Sequence, residues 1–524
     1  MTATAPAKIT YTSANVDLTA FHADFDAALA RVRSETGRFH PFHIGRVAVE
    51  TPATRLEDRS PTDTGLLLGS FSAAGPEHVD QAVQAAKRAQ PDWARRSWRD
   101  RVQILRRAAV LIRERKFRLA AIMTLEVGKN RLEAMGDAEE AADLIDYYCH
   151  QVEESDGFRL PMANPTAIER NLDVLRPYGV FVCIAPFNFP LALSAGMSSA
   201  ALVCGNAVVY KPAEDTPWIG RELWEIYREA GVPDGVVNHL TGLREVIGDP
   251  LWQHPLVDGV VFTGSRAVGM RIYHGLSARY VKPCLMELGG KNAAVVMESA
   301  DLDAAAEGIV RSAFGLSGQK CSATSRSYVH RAVAEGFLER LLERTRAIRA
   351  GDPAERDVWF GPVINARALA RFDAAAALAR RDGEILIGGE RLQGERFDRG
   401  HYVEPTVARV PPESELHREE FFVPVLAVTV VDSLDQAIAE TNRPDYGLTA
   451  GIFSGRADEV ERFFDEVEAG VCYANKRSGA TTGAWPGAQA FCGWKGSGST
   501  GKGGCGPWYV QQFMREQSRT VITG

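Results

Sequence analysis

Apolar positions change their period along the chain. From about Pro76 to Tyr148 they recur at spacings of three and four, as in Val79, Val83 and Ala86 and then Val102, Leu105, Ala109 and Ile112. That stripe predicts amphipathic helices packed on a larger body. Between 177 and 297 the pattern becomes short apolar runs separated by helix-length segments: VFVCI at 180–184, AVVY at 207–210, VVNHL at 236–240, GVVF at 259–262 and AAVVM at 293–297. Such alternation predicts a parallel sheet with crossover helices. Beyond 300 it restarts, with helical patterns near 303–317, 332–347, 366–380 and 433–442 and strand-like SRSYVH and LTAGIFS. A second α/β lobe follows. The break is expected near Glu287 to Gly290, which puts Glu287 at the lobe boundary and Cys321 inside the second lobe, and active sites commonly lie between lobes. The Gly-, Ser- and Thr-rich stretch 475–507 reads as an ordered loop region, and no internal repeat is seen.

Length supports two lobes, because 524 residues with 45% hydrophobic content exceed the roughly 250 to 300 residues at which a single core stops growing. The net charge of −7 is a weak acidic balance without a basic block, so no nucleic acid partner is expected. No apolar run reaches the roughly 20 residues that span a bilayer, and the start MTATAPAKITYTSANVDLTAF lacks a basic segment followed by an apolar one. A soluble, unprocessed protein without a membrane partner is expected. Eight scattered cysteines with no C-x-x-C pair fit a reducing cytoplasm, and no metal site is expected.

Among those cysteines Cys321 stands apart. Its neighbours Gly318, Gln319, Lys320, Ser322 and Ala323 are too polar and glycine-rich for an ordinary core position, whereas Cys183 and Cys204 lie in apolar runs. A thiol becomes a useful nucleophile only where its thiolate is stabilised, and Lys320 is adjacent. Glu287, in Glu287-Leu288-Gly289-Gly290-Lys291, follows an apolar run that would desolvate it and raise its pKa, as suits a base. Attack on an aldehyde makes an oxyanion, for which Asn188 is the candidate donor; it lies just after the run 180–184, where a parallel strand's carboxyl end faces a ligand crevice. Oxidation then requires an acceptor that Cys and Glu cannot replace, a nicotinamide dinucleotide. Phe262-Thr263-Gly264-Ser265-Arg266-Ala267-Val268-Gly269 closes a strand and opens a helix with small residues, so its N–H groups suit a pyrophosphate even without G-x-G-x-x-G.

These segments resemble the aldehyde dehydrogenase superfamily over nearly the whole chain. The resemblance implies two parallel-sheet α/β lobes, one Rossmann-like and one catalytic, plus a small β oligomerisation flap. The domains would be 1–157 (helical part of the NAD-binding domain), 158–176 (first part of the flap), 177–286 (Rossmann-like), 287–476 (catalytic) and 477–524 (substrate loop, oligomerisation strand and tail). It assigns Cys321 as nucleophile, Glu287 as the base for thioester hydrolysis, and the Asn188 amide with the Cys321 N–H as the oxyanion hole. NAD contacts are implied from Ile184, Ala185, Pro186, Phe187, Lys211, Ala213, Glu214, Phe262, Thr263, Gly264, Ser265, Val268, Leu288, Glu420 and Phe422. A carboxylate at Glu214 accepts from ribose hydroxyls and repels a 2′-phosphate, which favours NAD over NADP. A homo-oligomer, dimer or hexamer, is implied as well.

Within the superfamily the C-terminal third looks most like the 1-pyrroline-5-carboxylate dehydrogenase branch, which oxidises glutamate γ-semialdehyde. Ser322, Gly483 and Ala484 match the residues that hold the substrate carboxylate there, Glu140 resembles the one facing the α-amino group, and Phe189 and Phe491 would pack on the aliphatic part. A proline dehydrogenase is the implied pathway partner. Three positions depart from the pattern: Val423 and Arg244 stand where glycine is common, and Phe491-Cys492-Gly493 replaces Phe-Gly-Gly. Alternatives are a dehydrogenase of another short aldehyde, an acyl transfer to coenzyme A, or a catalytically silent protein of the same fold.

Overall fold

The computed structural model describes residues 18–51, 53–477 and 485–523. Within them two seven-stranded sheets are joined by the short segment between Glu287 and Asn292. The first sheet runs Cys284–Glu287, Gly259–Thr263, Val180–Ile184, Ala207–Lys211, Val237–His239, Phe42–Ile44, Val47–Val49. Its first five strands are parallel; the last two add antiparallel at the edge. Every residue of Ala207–Lys211 and of Gly259–Thr263 is buried. This is why these strands read as unbroken apolar runs, since helices cover both faces of a parallel sheet. The second sheet runs Glu384–Ile387, Thr406–Arg409, Val425–Val431, Thr324–His330, Asn292–Val296, Thr449–Phe453, Val471–Ala474, with an antiparallel first strand and parallel pairing thereafter.

The expected α/β class with two parallel-sheet lobes holds. AAVVM, grouped above with the runs of the first lobe, pairs instead in the second sheet, beside Thr324–His330 and Thr449–Phe453. The strand Cys284–Glu287 escaped notice because it has only four residues and ends in a carboxylate. The part before Pro76 is not simply helical. After the helix Thr19–Arg33 come five short strands, three of which form their own small sheet.

Ile184, Lys211, Thr263 and Glu287 are each the last residue of a strand in the first sheet, with Ile184 opposite Lys211 and Thr263 opposite Glu287. The carboxyl ends of parallel strands open on the ligand crevice, so the chain turns that follow them are presented along one edge. Three helices are layered on this sheet, the last of them touching its strands. Trp98–Val127 ends at Gly128, whose φ of 81° closes it in the left-handed region, a conformation glycine adopts without penalty. Arg131–Glu154 begins three residues later, capped by the Asn130 side chain, which accepts from the Glu133 N–H at 2.9 Å. Ala192–Val203 packs on the second of these. The corner between the first two helices leaves Lys129 fully buried.

A third, exposed sheet is made of Arg159–Pro161, Glu169–Pro177 and Met514–Ile522, the last two pairing antiparallel over nine residues. The sheet displays Leu160, Val521 and Ile522 to solvent, and Met162 and Ile168 are exposed in the connection between its first two strands. Among the described residues, no helix is long and apolar enough to cross a membrane.

The antiparallel edge of the first sheet buries two imidazoles without partners. His43 stacks on Trp224 with centroids 3.7 Å apart, and neither ring nitrogen of the fully buried His239 has a hydrogen bond. Burial, and then Arg221, holds His43 down at about 4; burial and then His43 hold His239 well below the usual range. The unfolded imidazole binds its proton near 6.5 and folded His43 only near 4. Within that window the unfolded state therefore carries more protons, and this contribution to stability falls as pH drops. His43→Phe, which keeps the stack on Trp224, is expected to flatten the fall of the thermal midpoint between pH 6.5 and 4 relative to the unsubstituted protein. Identical slopes in a differential scanning series would refute the histidine contribution.

Candidate active site

After the helix Leu302–Phe314 the chain turns through Leu316, Ser317 and Gly318, with φ of 49°, 53° and 70°, before it reaches Cys321. A left-handed Leu–Ser pair is costly and persists only where surroundings hold it. Here they do. Ser317 Oγ donates to the Gly361 carbonyl at 2.7 Å, and the Gln319 side-chain oxygen accepts from the Ile364 N–H at 2.9 Å. Asn188 Nδ2 donates to the Gln319 carbonyl at 2.9 Å. From the other side Asn292 Nδ2 donates to the carbonyls of Cys321 (2.8 Å) and Ala323 (2.9 Å). Lys320 turns away from the thiol: its ammonium pairs with Glu133 Oε1 at 2.9 Å, so adjacency in sequence does not make it a partner of Cys321.

A cleft opens over the cysteine, lined by Glu140, Leu144, Tyr148, Phe189, Leu193, Gly196, Met197, Thr263, Glu287, Cys321, Ser322, Phe491, Gly504, Cys505 and Tyr509. It thus gathers Cys321, Glu287, Ser322, Phe189, Phe491 and Glu140 from distant segments. Asn188 is not in its wall. It is buried behind the cysteine loop, bonded to Gln319, and keeps a second amide N–H beyond that bond. Gly483 and Ala484 lie outside the described residues. The adjacent pair Glu139–Glu140 is separated by helix rotation: Glu139 turns to Lys116 at 2.7 Å, and Glu140 faces the cleft. Leu144 and Tyr148 share its face at i+4 and i+8, a helical spacing visible in the sequence. Cys505 and Tyr509 have no such local signal.

Electrostatically the cleft favours neutral groups. Burial, then Glu420 and Glu287, pushes the Cys321 thiol up to about 12, while the N–H groups of Ser322 and of Cys321 itself work the other way. Burial holds the Glu287 carboxyl well above the usual carboxylate range, against N–H donation from Gly504 and Gly493. Its Oε2 has no hydrogen-bond partner. Once ionised, a carboxyl with a free oxygen in a largely apolar wall is a stronger base than one in water and is suited to taking a proton from water.

The neighbouring crevice fits a dinucleotide. Lys211, buried at the end of its strand, donates to the Pro212 carbonyl at 3.3 Å and has further N–H groups to offer sugar hydroxyls. Ala213 and Glu214 follow in the next turn, and Glu214 Oε1 accepts from the Arg244 N–H. A backbone N–H makes this bond, so the departure from glycine at Arg244 leaves it unchanged. The helix Arg266–Leu276 starts after Ser265, whose side chain makes no cap bond, so first-turn N–H groups are open to a phosphate. Thr263, Gly264 and the exposed Val268 flank that opening, and a Cβ on Gly269 would run into Leu288. Across the seam Glu420 accepts from the Gly290 N–H at 2.9 Å; burial raises its carboxyl to about 7. Gly289 is glycine because a side chain there would collide with that carboxylate. Phe422 meets Phe187 edge to face at 5.9 Å and itself takes the left-handed turn, φ 58°, so Val423 needs no glycine. Ile184, Ala185, Pro186 and Phe262 complete the strand ends on this side. Cys492 is accommodated because Gly470 faces it, its Sγ lying 3.4 Å from the Gly470 carbonyl.

Comparison with known proteins agrees with this architecture. Residues 48–519 match the aldehyde dehydrogenase family. The chain is 37% identical over 504 residues to 1-pyrroline-5-carboxylate dehydrogenase 2 of Bacillus subtilis (strain 168), covering 95% of each. It superposes on a Thermus 1-pyrroline-5-carboxylate dehydrogenase solved with bound NAD at a TM-score of 0.93, with 36% identity over 100% of both chains. Proline utilization A (PutA) from Bdellovibrio bacteriovorus is 34% identical at a TM-score of 0.92, with 96% of this chain covering 52% of that one. The chain belongs to the aldehyde dehydrogenase family.

Proposed function

We propose that the protein oxidises L-glutamate γ-semialdehyde, formed when 1-pyrroline-5-carboxylate opens in water, to L-glutamate with NAD as acceptor. The observation that carries this reading is the single cleft in which Glu140, Phe189, Glu287, Cys321, Ser322 and Phe491 meet. One carboxylate, one hydroxyl and two aromatic rings suit an aldehyde bearing an ammonium, a carboxylate and a short aliphatic chain. The relatives named for this reaction support the same substrate.

Cys321 Sγ attacks the aldehyde carbon as its proton passes to solvent water in the open cleft, and the developing oxyanion is met by the Asn188 amide and the Cys321 N–H. The tetrahedral adduct stays bound to sulfur. NAD, when bound, supplies the two-electron oxidising power that turns this adduct into a thioester. Lys211 and Glu214 would hold the adenosine ribose, Gly264 and Ser265 the pyrophosphate, Glu420 the nicotinamide ribose, and Phe422 the ring; Ile184, Ala185, Pro186, Phe187, Ala213, Phe262, Thr263, Val268 and Leu288 complete the cradle. Glu287 then takes a proton from water, whose oxygen attacks the thioester carbon and releases the acid, returning the thiol to Cys321. Ser322, with Gly483 and Ala484, would receive the substrate carboxylate, and Glu140 its α-ammonium. Phe189 and Phe491 would flank the methylenes.

The exposed apolar residues of the flap sheet, with the strand Met514–Ile522 paired into it, support its use as a homo-oligomer interface, in a dimer or hexamer. We assign the segments 1–157 and 177–286 to the NAD-binding domain, 158–176 to the first part of the flap, 287–476 to catalysis, and 477–524 to the substrate loop, oligomerisation strand and tail. A reducing cytoplasm fits eight free cysteines, and a proline dehydrogenase that generates the pyrroline is the natural partner.

Substrate choice is tested by comparing NADH formation from 1-pyrroline-5-carboxylate, succinate semialdehyde, propanal and hexanal. The kcat/KM for the pyrroline is expected to exceed the others by at least about tenfold, as a built polar subsite requires. A better simple aldehyde would remove the substrate assignment and leave the chemistry. In stopped flow, Glu287→Gln is expected to give one rapid burst of NADH per site and then stall; sustained turnover at the original rate would eliminate Glu287 as the base.

A further inference from the structure

The helix Arg131–Glu154 carries Glu133, Asp137 and Glu140 at i, i+4 and i+7, on one face. Each engages a different part of the site. Glu140 lines the cleft. Glu133 pairs with Lys320, the residue before Cys321, at 2.9 Å. Asp137 Oδ2 accepts from Lys129 Nζ at 2.6 Å, and its other oxygen accepts from the Ala192 N–H at 2.7 Å, at the first residue of the helix Ala192–Val203. Lys129 and Asp137 both have 0% side-chain exposure, and the Lys129 ammonium lies 4.0 Å from the centroid of the Phe189 ring. Phe189 is the neighbour of Asn188. Neither member of the pair lines the cleft, and no step of the chemistry above uses either.

A fully buried ion pair contributes little net stability, because desolvation offsets most of the Coulomb gain. Its other effect is geometric. This pair grips the chain on the far side of Asn188, through the ring at 189 and the N–H at 192, while the Asn188 amide itself reaches the Gln319 carbonyl at 2.9 Å. The cysteine loop is anchored one helical turn away, through Glu133. One turn of rise, about 6 Å between i and i+4, then sets the spacing of the two anchors.

We propose that Lys129 and Asp137 are positioning residues: the buried pair holds Phe189 and the start of the helix Ala192–Val203 so that the Asn188 amide meets the loop carrying Cys321, which the same helix fixes through Glu133 and Lys320. The proposal rests on the reading of Asn188 as an oxyanion donor. It gives Phe189 two roles, one face toward the cleft and one toward the ammonium, the geometry of a cation–π contact.

Substituting Lys129 alone would leave Asp137 buried and unpaired, which is strongly destabilising. Both charges are therefore removed together in Lys129→Met/Asp137→Asn, which retains an oxygen for the Ala192 N–H. With a thermal midpoint showing the variant folded, kcat is expected to fall at least about tenfold while KM stays within about threefold, part of the roughly 10² to 10³ that loss of an oxyanion donor costs. Phe189→Leu, which keeps apolar bulk in the cleft but removes the ring face from the ammonium, is expected to lose kcat similarly. Adding Phe189→Leu to the paired substitution should cost less than about threefold more, because both remove one contact.

Unchanged kcat in the folded paired variant, full kcat in Phe189→Leu, or losses that simply multiply would each overturn the proposal. If the paired variant does not fold, Phe189→Leu decides alone: a raised KM with full kcat confines the ring to the cleft wall and overturns the positioning role. Asn188→Ala separates the two ideas: full kcat in that variant refutes the oxyanion reading, and a slow Asn188→Ala beside a full-rate paired variant refutes only the positioning role.

Discussion

Withdrawal of ionisable groups from water at the seam between the two sheets is the constraint on which the rest of this molecule depends. Cys321, Glu287 and Glu420 are each pushed toward their protonated forms, chiefly by burial. A thiol and a carboxyl left in water would ionise independently of one another. Buried together, they become groups whose protons move only when substrate charge or a neighbouring donor compensates. The seam provides few counter-charges and many backbone groups: Gly504 and Gly493 donate to Glu287, Gly290 donates to Glu420, and Ser322 and Cys321 donate toward the thiol. Fixed dipoles of this kind need not reorganise as charge develops.

The same constraint explains how the reactive loops are held. A turn containing left-handed Leu316 and Ser317 cannot rest on its own propensities, and bonds from Asn188, Asn292, Gly361 and Ile364 secure it from both lobes. Where full charges are used, as in Lys129–Asp137 and Lys320–Glu133, both acids come from one helix. Spacing is thereby delegated to the most rigid element nearby. The positions that depart from the family pattern are absorbed by the same means: Phe422 takes the turn beside Val423, Gly470 makes room for Cys492, and the bond to Glu214 comes from the Arg244 backbone.

Much of the fold was legible because periodicity is local. Both faces of a parallel strand are buried, so VFVCI, AVVY and GVVF announced themselves, and three-and-four spacing announced the helices from Pro76 onward. The short edge strands before Pro76 and the four-residue strand ending at Glu287 did not, because so few residues carry no distinguishable period. Cys321 and Glu287 stood out through the glycine-rich, polar company they keep. Lys320 misled, since sequence adjacency says nothing about which way a side chain leaves a turn.

By itself, then, the amino-acid sequence determined the α/β class and put forward a break near Glu287 and a thiol and a carboxyl as candidates for aldehyde oxidation, all of which rest on neighbours within a few residues. Only the tertiary structure decided that Glu140 rather than Glu139 faces the cleft, that Cys505 and Tyr509 wall it, and that Lys129 and Asp137 lie behind Asn188. Those facts depend on the rotation of one helix and on crossovers closing over hundreds of residues, and no local pattern encodes either.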